Sequence, residues 1–378
     1  MKSKTLLTLS LIFVCVACVI FAFCLPINNI VRADTIVEKQ DIVPTLALNQ
    51  YLSDTPIDKT STSAGEEKTA KEYLSTFMQT MGLEKYNNAE NYWHQFTFGI
   101  NKTSYNVIGV KKSAEQTNNT IVLGAHFDNT NKQTSSTGAL DNGTGVVLLM
   151  SIIKTIISVE YDYNLIFCFF GASQSGYAGS ESFYASLNNE TKKNLLLYIN
   201  FDKIGGGEYT YYYAGENSNT YTSLFNLSQN QISAMPSYSK INYVFNNKRM
   251  AYSHAGLQSD NVTFYKNGIN CINFFSGNLN GLNSGYKESA NHQNIGNTKN
   301  DTIDILQKYY PNYTKHLNNV ALSVVQALNN TNLTQNLQQD KSSINFNFLN
   351  KKLIIFFVGI IGVLLLGGIR IKKEIKNA

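Results

Sequence analysis

Polar side chains recur just past the ends of apolar runs along the chain. His126 and Asp128 follow Thr120 to Ala125, Asp141 precedes Gly143-Thr144-Gly145, Ser173 and Gln174 follow Asn164 to Phe170, and Asp202 follows Leu195 to Phe201. Any one of them alone reads as a helix cap or a surface loop residue. Together they form an ordered series of imidazole, carboxylate, hydroxyl and amide groups, the makings of a binding or catalytic site. In open α/β sheets such a site forms where strand ends converge.

The elements that must bring these residues together are legible in the periodicity. Ala70, Tyr73, Leu74, Phe77, Met78 and Met81 recur at helical spacing, and Gly145 to Val159 is apolar at helical length. Tyr105 to Val110, Thr120 to Ala125, Asn164 to Phe170, Leu195 to Phe201 and Ile269 to Phe275 read as strands, Ser180 to Leu187 as a short helix, and Ile303 to Leu328 as one long final helix. Short apolar strands alternating with helices predict an α/β fold, a mostly parallel central sheet with helices on both faces.

The motifs around the polar positions are Gly124-Ala125-His126-Phe127-Asp128, Asp141-Asn142-Gly143-Thr144-Gly145, Phe170-Gly171-Ala172-Ser173-Gln174-Ser175-Gly176, Asn200-Phe201-Asp202, Ser259-Asp260 and Asn297-Thr298-Lys299-Asn300-Asp301-Thr302. In order and spacing the series resembles the bacterial leucyl aminopeptidase and aminopeptidase Y family of co-catalytic zinc metallopeptidases. The resemblance covers about Gly65 to Asn330. It implies a zinc-peptidase fold of the phosphorylase/hydrolase-like type.

In that family two zinc ions share one aspartate, and each has one further carboxylate and one histidine. Carried over by position, the resemblance implies a first metal on His126, Asp141 and Asp202, with Asp128 fixing the His126 ring. The second metal would need Asp141 with the residues at 174 and 297, which here are Gln174 and Asn297. Neutral amides are poor zinc ligands, so at most one zinc ion is expected. Ser173 stands where the family has its general-base glutamate. A hydroxyl does not accept a proton at neutral pH, so base assistance worth roughly 100- to 10,000-fold is expected to be missing.

Asp260, His254 and His292 are candidate pocket residues, and a shifted loop would be needed to carry His292 to the metal. Glu181 and Glu288 are the carboxylates nearest the altered motifs, with Glu181 expected on the surface. The expected function is a catalytically impaired, ligand- or protein-binding pseudopeptidase. The alternative is an active aminopeptidase with a single-metal or rearranged site, and a purely structural module is the third reading.

Composition frames this block. With 43% hydrophobic residues in 378, the chain has material for one good-sized core. The net charge of +5 is concentrated near the ends, so no nucleic-acid partner is indicated. Residues 1–33 contain the uncharged stretch Thr5 to Val31 and read as a signal peptide or an N-terminal membrane segment. Residues 34–64 read as a polar spacer, 65–330 as the main domain and 331–350 as an Asn/Gln-rich linker.

Leu353 to Ile369 is an unbroken run of apolar residues and glycines. At about 1.5 Å per residue it nearly crosses a hydrocarbon core of roughly 30 Å, so a C-terminal transmembrane helix is expected. The denser basic cluster follows it in 370–378, which predicts a cytoplasmic tail and an extracellular main domain, single-pass in the cell membrane. Cys168 and Cys271 fall in apolar runs and read as buried thiols or one disulfide. Their spacing suggests no cysteine-based zinc site.

Overall fold

Apolar runs that alternate faces become the strands of one sheet. The computed structural model describes residues 41–130, 136–214, 218–234, 240–245, 248–254, 259–279 and 287–339. Of two compact units, Met1–Ile36 lies outside these residues and Val37–Ala378 contains them. The expected N-terminal segment, transmembrane helix and basic tail all fall outside the described residues.

In chain order the strands are β1 (Glu84–Lys85), β2 (Trp93–Phe98), β3 (Lys102–Lys111), β4 (Thr120–His126), β5 (Asn164–Phe170), β6 (Leu195–Phe201), β7 (Tyr209–Tyr213), β8 (Ile232–Ala234), β9 (Lys240–Phe245), β10 (Lys248–His254) and β11 (Cys271–Gly277). Among the described residues a nine-stranded sheet has the order β1-β3-β5-β4-β6-β11-β7-β8, with β2 paired to β3, and β9 and β10 form a separate hairpin.

Every residue of β4, β6 and β11 is buried, as expected of strands covered on both faces. Side chains divide by the two-residue period of a strand. Ile121, Leu123 and Ala125, with Leu165, Phe167 and Phe169, enter the larger core, whereas Val122, Ile166, Cys168, Phe170 and Tyr198 enter the second. Helices Thr144–Ile156 and Tyr313–Leu328 supply residues to the first core, and Ala178–Ser186 and Asn261–Lys266 to the second. Both thiols are free and buried, and burial pushes Cys271 up to about 12.

Several expectations need correction. The sheet is mixed: β4–β5, β4–β6, β6–β11 and β7–β8 are parallel, whereas β1–β3, β2–β3, β3–β5 and β7–β11 are antiparallel. The turn between β2 and β3 is short, and a short turn can join only antiparallel neighbours. The final helix is two helices, Ile303–Tyr309 and Tyr313–Leu328. Pro311 separates them because proline removes a donor and drives the preceding residue out of the helical region, and Tyr310 has φ −129° and ψ 65°.

Part of the presumed N-terminal spacer is folded. Helix Ala47–Asp54 has no side-chain cap, but it buries Leu48 and Tyr51. Burying such side chains is worth roughly 1.5–3 kcal/mol each, more than the about 1 kcal/mol an N-cap supplies. Likewise residues 333–339 of the presumed linker are helical, with Leu333 and Leu337 buried. Two apolar residues within a polar stretch are too few to show a period in sequence.

Candidate metal centre

Three segments meet at the carboxyl ends of the central strands. His126 closes β4 opposite Phe170 of β5, and Asp202 directly follows β6. Asp141 comes from the tight turn Ala139–Gly143 that enters helix Thr144–Ile156, and its peptide bond to Asn142 is cis. Asn142 ties that turn to the sheet: its Nδ2 donates to the Phe201 carbonyl at 2.9 Å, and its Oδ1 accepts from Gly145 N at 3.2 Å and Lys203 N at 3.0 Å. A Cβ on Gly145 would stand 2.5 Å from Asn142 Oδ1 and 2.7 Å from the Phe201 oxygen, so glycine is what lets the helix approach so closely.

The candidate ligand atoms converge. His126 Nε2 lies 3.2 Å from Asp141 Oδ1 and 3.5 Å from Asp202 Oδ1, and the three residues are buried with ligand atoms within 4.8 Å of one another. On the far side of the ring, Nδ1 is 3.3 Å from Asp128 Oδ1. Asp128 is itself held by the backbone N–H groups of Ser173 and Gln174 at 3.1 and 3.0 Å. The imidazole is therefore oriented with Nε2 toward the two aspartates.

Burial alone would lower the His126 pKa, but hydrogen bonds from its ring to the carboxylates of Asp128, Asp141 and Asp202 raise it well above the usual histidine value. For Asp141, burial acts upward and is outweighed by Lys203 and His126, which hold its carboxyl down at about 2. Asp202 Oδ1, 3.5 Å from His126 Nε2, is buried without a hydrogen-bond partner, and Asp141 Oδ2 likewise has none, facing only the Lys203 ammonium at 3.6 Å. Orphaned carboxylate oxygens beside an oriented imidazole are what a cation would satisfy. Ligand bonds of about 2.0–2.2 Å in a tetrahedral zinc site imply ligand separations of about 3.3 Å, close to the spacing of these atoms. The trio fits one zinc ion.

The side chains at positions 174, 297 and 173 are engaged within the chain. Gln174 Nε2 donates to Asp141 Oδ1 at 3.0 Å, and Asn297 is exposed, with its Oδ1 accepting from Thr130 Oγ1 at 2.8 Å. Ser173 is buried and its hydroxyl donates to Asp260 Oδ2 at 2.8 Å. Burial pushes the Asp260 carboxyl up to about 6 against the opposing pull of His126. His292 is exposed and stacked on Tyr309 with centroids 4.4 Å apart, and it does not join the trio. Glu288 accepts the N–H groups of Ile295 and Gly296 at 2.6 and 2.9 Å, and Glu181 is exposed. His254 ends β10, whose side chains lie outside the described residues.

Two further residues had no role assigned from sequence. Asp301 accepts the N–H groups of Leu140 and Asp141 at 2.6 and 3.1 Å and so holds the Asp141 turn in place. Lys203 sets its ammonium 3.6 Å from Asp141 Oδ2 and 3.5 Å from Asp202 Oδ2. The signal for Lys203 was its place directly after Asp202. Asp301 gave none beyond its place in the motif Asn297 to Thr302.

Comparison with known proteins shows the family. Residues 106–325, more than half of the chain, match Peptidase family M28, and the chain belongs to that family. The family implies zinc, and the His126, Asp141 and Asp202 cluster is one that could hold a metal. A probable leucine aminopeptidase 2 of Aspergillus fumigatus is 32% identical over 109 residues, 29% of this chain and 21% of that protein. Aminopeptidase YwaD of Bacillus subtilis is 29% identical over 187 residues, 47% of this chain and 36% of that protein. The matched stretches thus span only 21 to 36% of these relatives' lengths.

Two solved structures share the fold. LapA aminopeptidase of Legionella pneumophila has a TM-score of 0.54 at 18% identity, covering 76% of this chain and 71% of that one. A glutaminyl cyclase of Porphyromonas gingivalis has a TM-score of 0.54 at 16% identity, covering 76% of this chain and 99% of that one.

Proposed function

We propose that the chain is a membrane-anchored, extracellular member of the family whose peptidase chemistry is impaired, and that it binds a peptide or protein ligand over a site holding at most one zinc ion. The observation that carries this reading is Gln174, which turns an N–H toward Asp141 Oδ1. A cation at that position needs an acceptor, and the side chain offers a donor. Zinc on His126, Asp141 and Asp202 would supply Lewis-acid polarisation of a bound carbonyl. Ser173, engaged with Asp260, orients rather than accepts a proton. Anchoring rests on the apolar run 353–369 and its basic flanks.

Asp260 favours a second reading, an active aminopeptidase with one metal and a rearranged base. Its buried carboxyl has a pKa pushed up to about 6 and accepts a hydrogen bond from the Ser173 hydroxyl at 2.8 Å, which makes it the candidate proton acceptor of this reading.

The test is zinc content and aminoacyl-anilide hydrolysis of the full chain purified from membranes. Wild type is compared with His126→Ala, Asp260→Asn and the Ser173→Glu/Gln174→Glu/Asn297→His variant. Impaired chemistry predicts no turnover by wild type and a gain on restoration. Zinc-dependent turnover by wild type equal to that of the restored variant and lost in His126→Ala would overturn it, and a further loss in Asp260→Asn would establish the second reading.

A further inference from the structure

Lys203 is held in an unusual way beside the candidate zinc ligands. Its backbone sits at φ 52°, a left-handed conformation that a lysine seldom adopts, and its N–H donates to Asn142 Oδ1 at 3.0 Å. The aliphatic stem passes beside Gly296, where an added Cβ would lie 3.8 Å from Lys203 Cδ and 3.5 Å from Asp141 Cβ. The ammonium is thereby brought to 3.6 Å from Asp141 Oδ2 and 3.5 Å from Asp202 Oδ2.

These are the two carboxylates of the trio. Oδ1 of each faces His126 Nε2, at 3.2 Å for Asp141 and 3.5 Å for Asp202, and Oδ2 of each faces the ammonium. A divalent ion held by the trio would therefore bind carboxyl groups that already have a positive neighbour. Like charges on the same pair of carboxyl groups repel, and in a buried setting that repulsion is weakly screened. The ammonium also partners both carboxylates when no ion is bound, and a buried carboxylate without a partner is costly.

We propose that Lys203 is the resident counter-ion of this centre: its ammonium sustains the form without an ion and sets the affinity of His126, Asp141 and Asp202 for a divalent ion below what these ligands would reach alone. The proposal deepens the one-zinc reading of the trio and rests on it. With a neutral side chain at 203, Asp141 and Asp202 would depend on the ion for their partner. Metal binding and folding would then be linked more tightly, because an ion that binds only the folded chain stabilises it the more the tighter it binds.

Full-length chain purified from membranes is stripped with a chelator, then titrated with zinc in competition with a chromophoric chelator. Wild type is compared with Lys203→Met and Lys203→Arg. The Lys203→Met variant is expected to bind zinc about 10- to 100-fold more tightly, the scale on which a neighbour of a metal site changes its affinity. Lys203→Arg keeps the charge and is expected to stay near wild type. In thermal unfolding of the same samples, the gap between chelator and zinc should be wider for Lys203→Met than for the other two.

Equal affinity of wild type and Lys203→Met overturns the proposal and leaves the one-zinc reading standing. Tighter binding by both variants also overturns it, since the shape of the lysine rather than its charge would then set the affinity. Should Lys203→Met lose its circular dichroism on chelation and regain it with zinc, the ion has replaced the ammonium, and the proposal is supported; failure to fold with zinc present overturns it. Zinc bound by none of the three proteins overturns both the proposal and the one-zinc reading. Turnover by wild type would overturn the impaired-enzyme reading and leave this comparison of affinities untouched.

Discussion

Gln174 Nε2 donates at 3.0 Å to the same Asp141 oxygen that lies 3.2 Å from His126 Nε2. One carboxylate oxygen thus receives both the imidazole of the candidate trio and the Gln174 amide. Asp141 is therefore satisfied on that side by hydrogen-bond donors of the chain.

Asp128 positions His126, so its replacement weakens metal binding without removing a ligand. Asp128→Asn keeps the shape but leaves one carbonyl oxygen to meet the His126 ring and the N–H groups of Ser173 and Gln174. Zinc affinity is expected to fall about 10- to 100-fold, read by competition with a chromophoric chelator. An unchanged affinity would mean that Asp128 has no hold on the imidazole.

Ser173→Glu by itself is expected to destabilise the chain rather than rescue catalysis. The hydroxyl it replaces lies 2.8 Å from the fully buried Asp260, so the new carboxylate would face a second carboxyl in a dry site. A loss of about 1–3 kcal/mol is expected in chemical denaturation. Adding Asp260→Asn should return much of it, and a Ser173→Glu variant as stable as wild type would contradict the close packing of the pair.

Asp301 holds the Asp141 turn through two backbone N–H groups. Asp301→Ala strands both donors in a buried setting, each costing about 1–3 kcal/mol. The urea midpoint should fall, and zinc affinity should fall with it because Asp141 loses its support. Asp301→Asn, which keeps one acceptor, should lie between the two.

His316, outside the trio, reports on pH. Its Nδ1 is 2.6 Å from Thr210 Oγ1, and burial, aided by Lys315, lowers the ring from 6.5 to about 4. The folded value lies below the unfolded one, so the contribution is present above pH 6.5 and is lost as pH falls toward 4. The unfolded chain takes the proton first. Wild type should lose stability across that window by up to about 1.4 kcal/mol per pH unit more than His316→Gln. Parallel curves for the two proteins would show that His316 titrates freely in the folded chain.

By itself the sequence determined the central strands and the residues at their ends. Buried strands need runs such as Thr120 to Ala125 and Leu195 to Phe201, and a polar His126 or Asp202 must follow where each run leaves the core. These are local signals, written within a few residues. The motif order also carried the family.

Tertiary structure alone decided what those residues touch. Lys203 meets Asp141 across 62 residues, Ser173 meets Asp260 across 87, and Asp301 meets Leu140 across 161. Such contacts depend on strand register and on how each turn leaves the sheet, and no local period encodes either. The mixed sheet followed from the same cause, since strand direction is set by the length and course of connections. Pro311 was a local signal too, of the break between the last two helices, and the expectation of one helix over Ile303 to Leu328 passed over it.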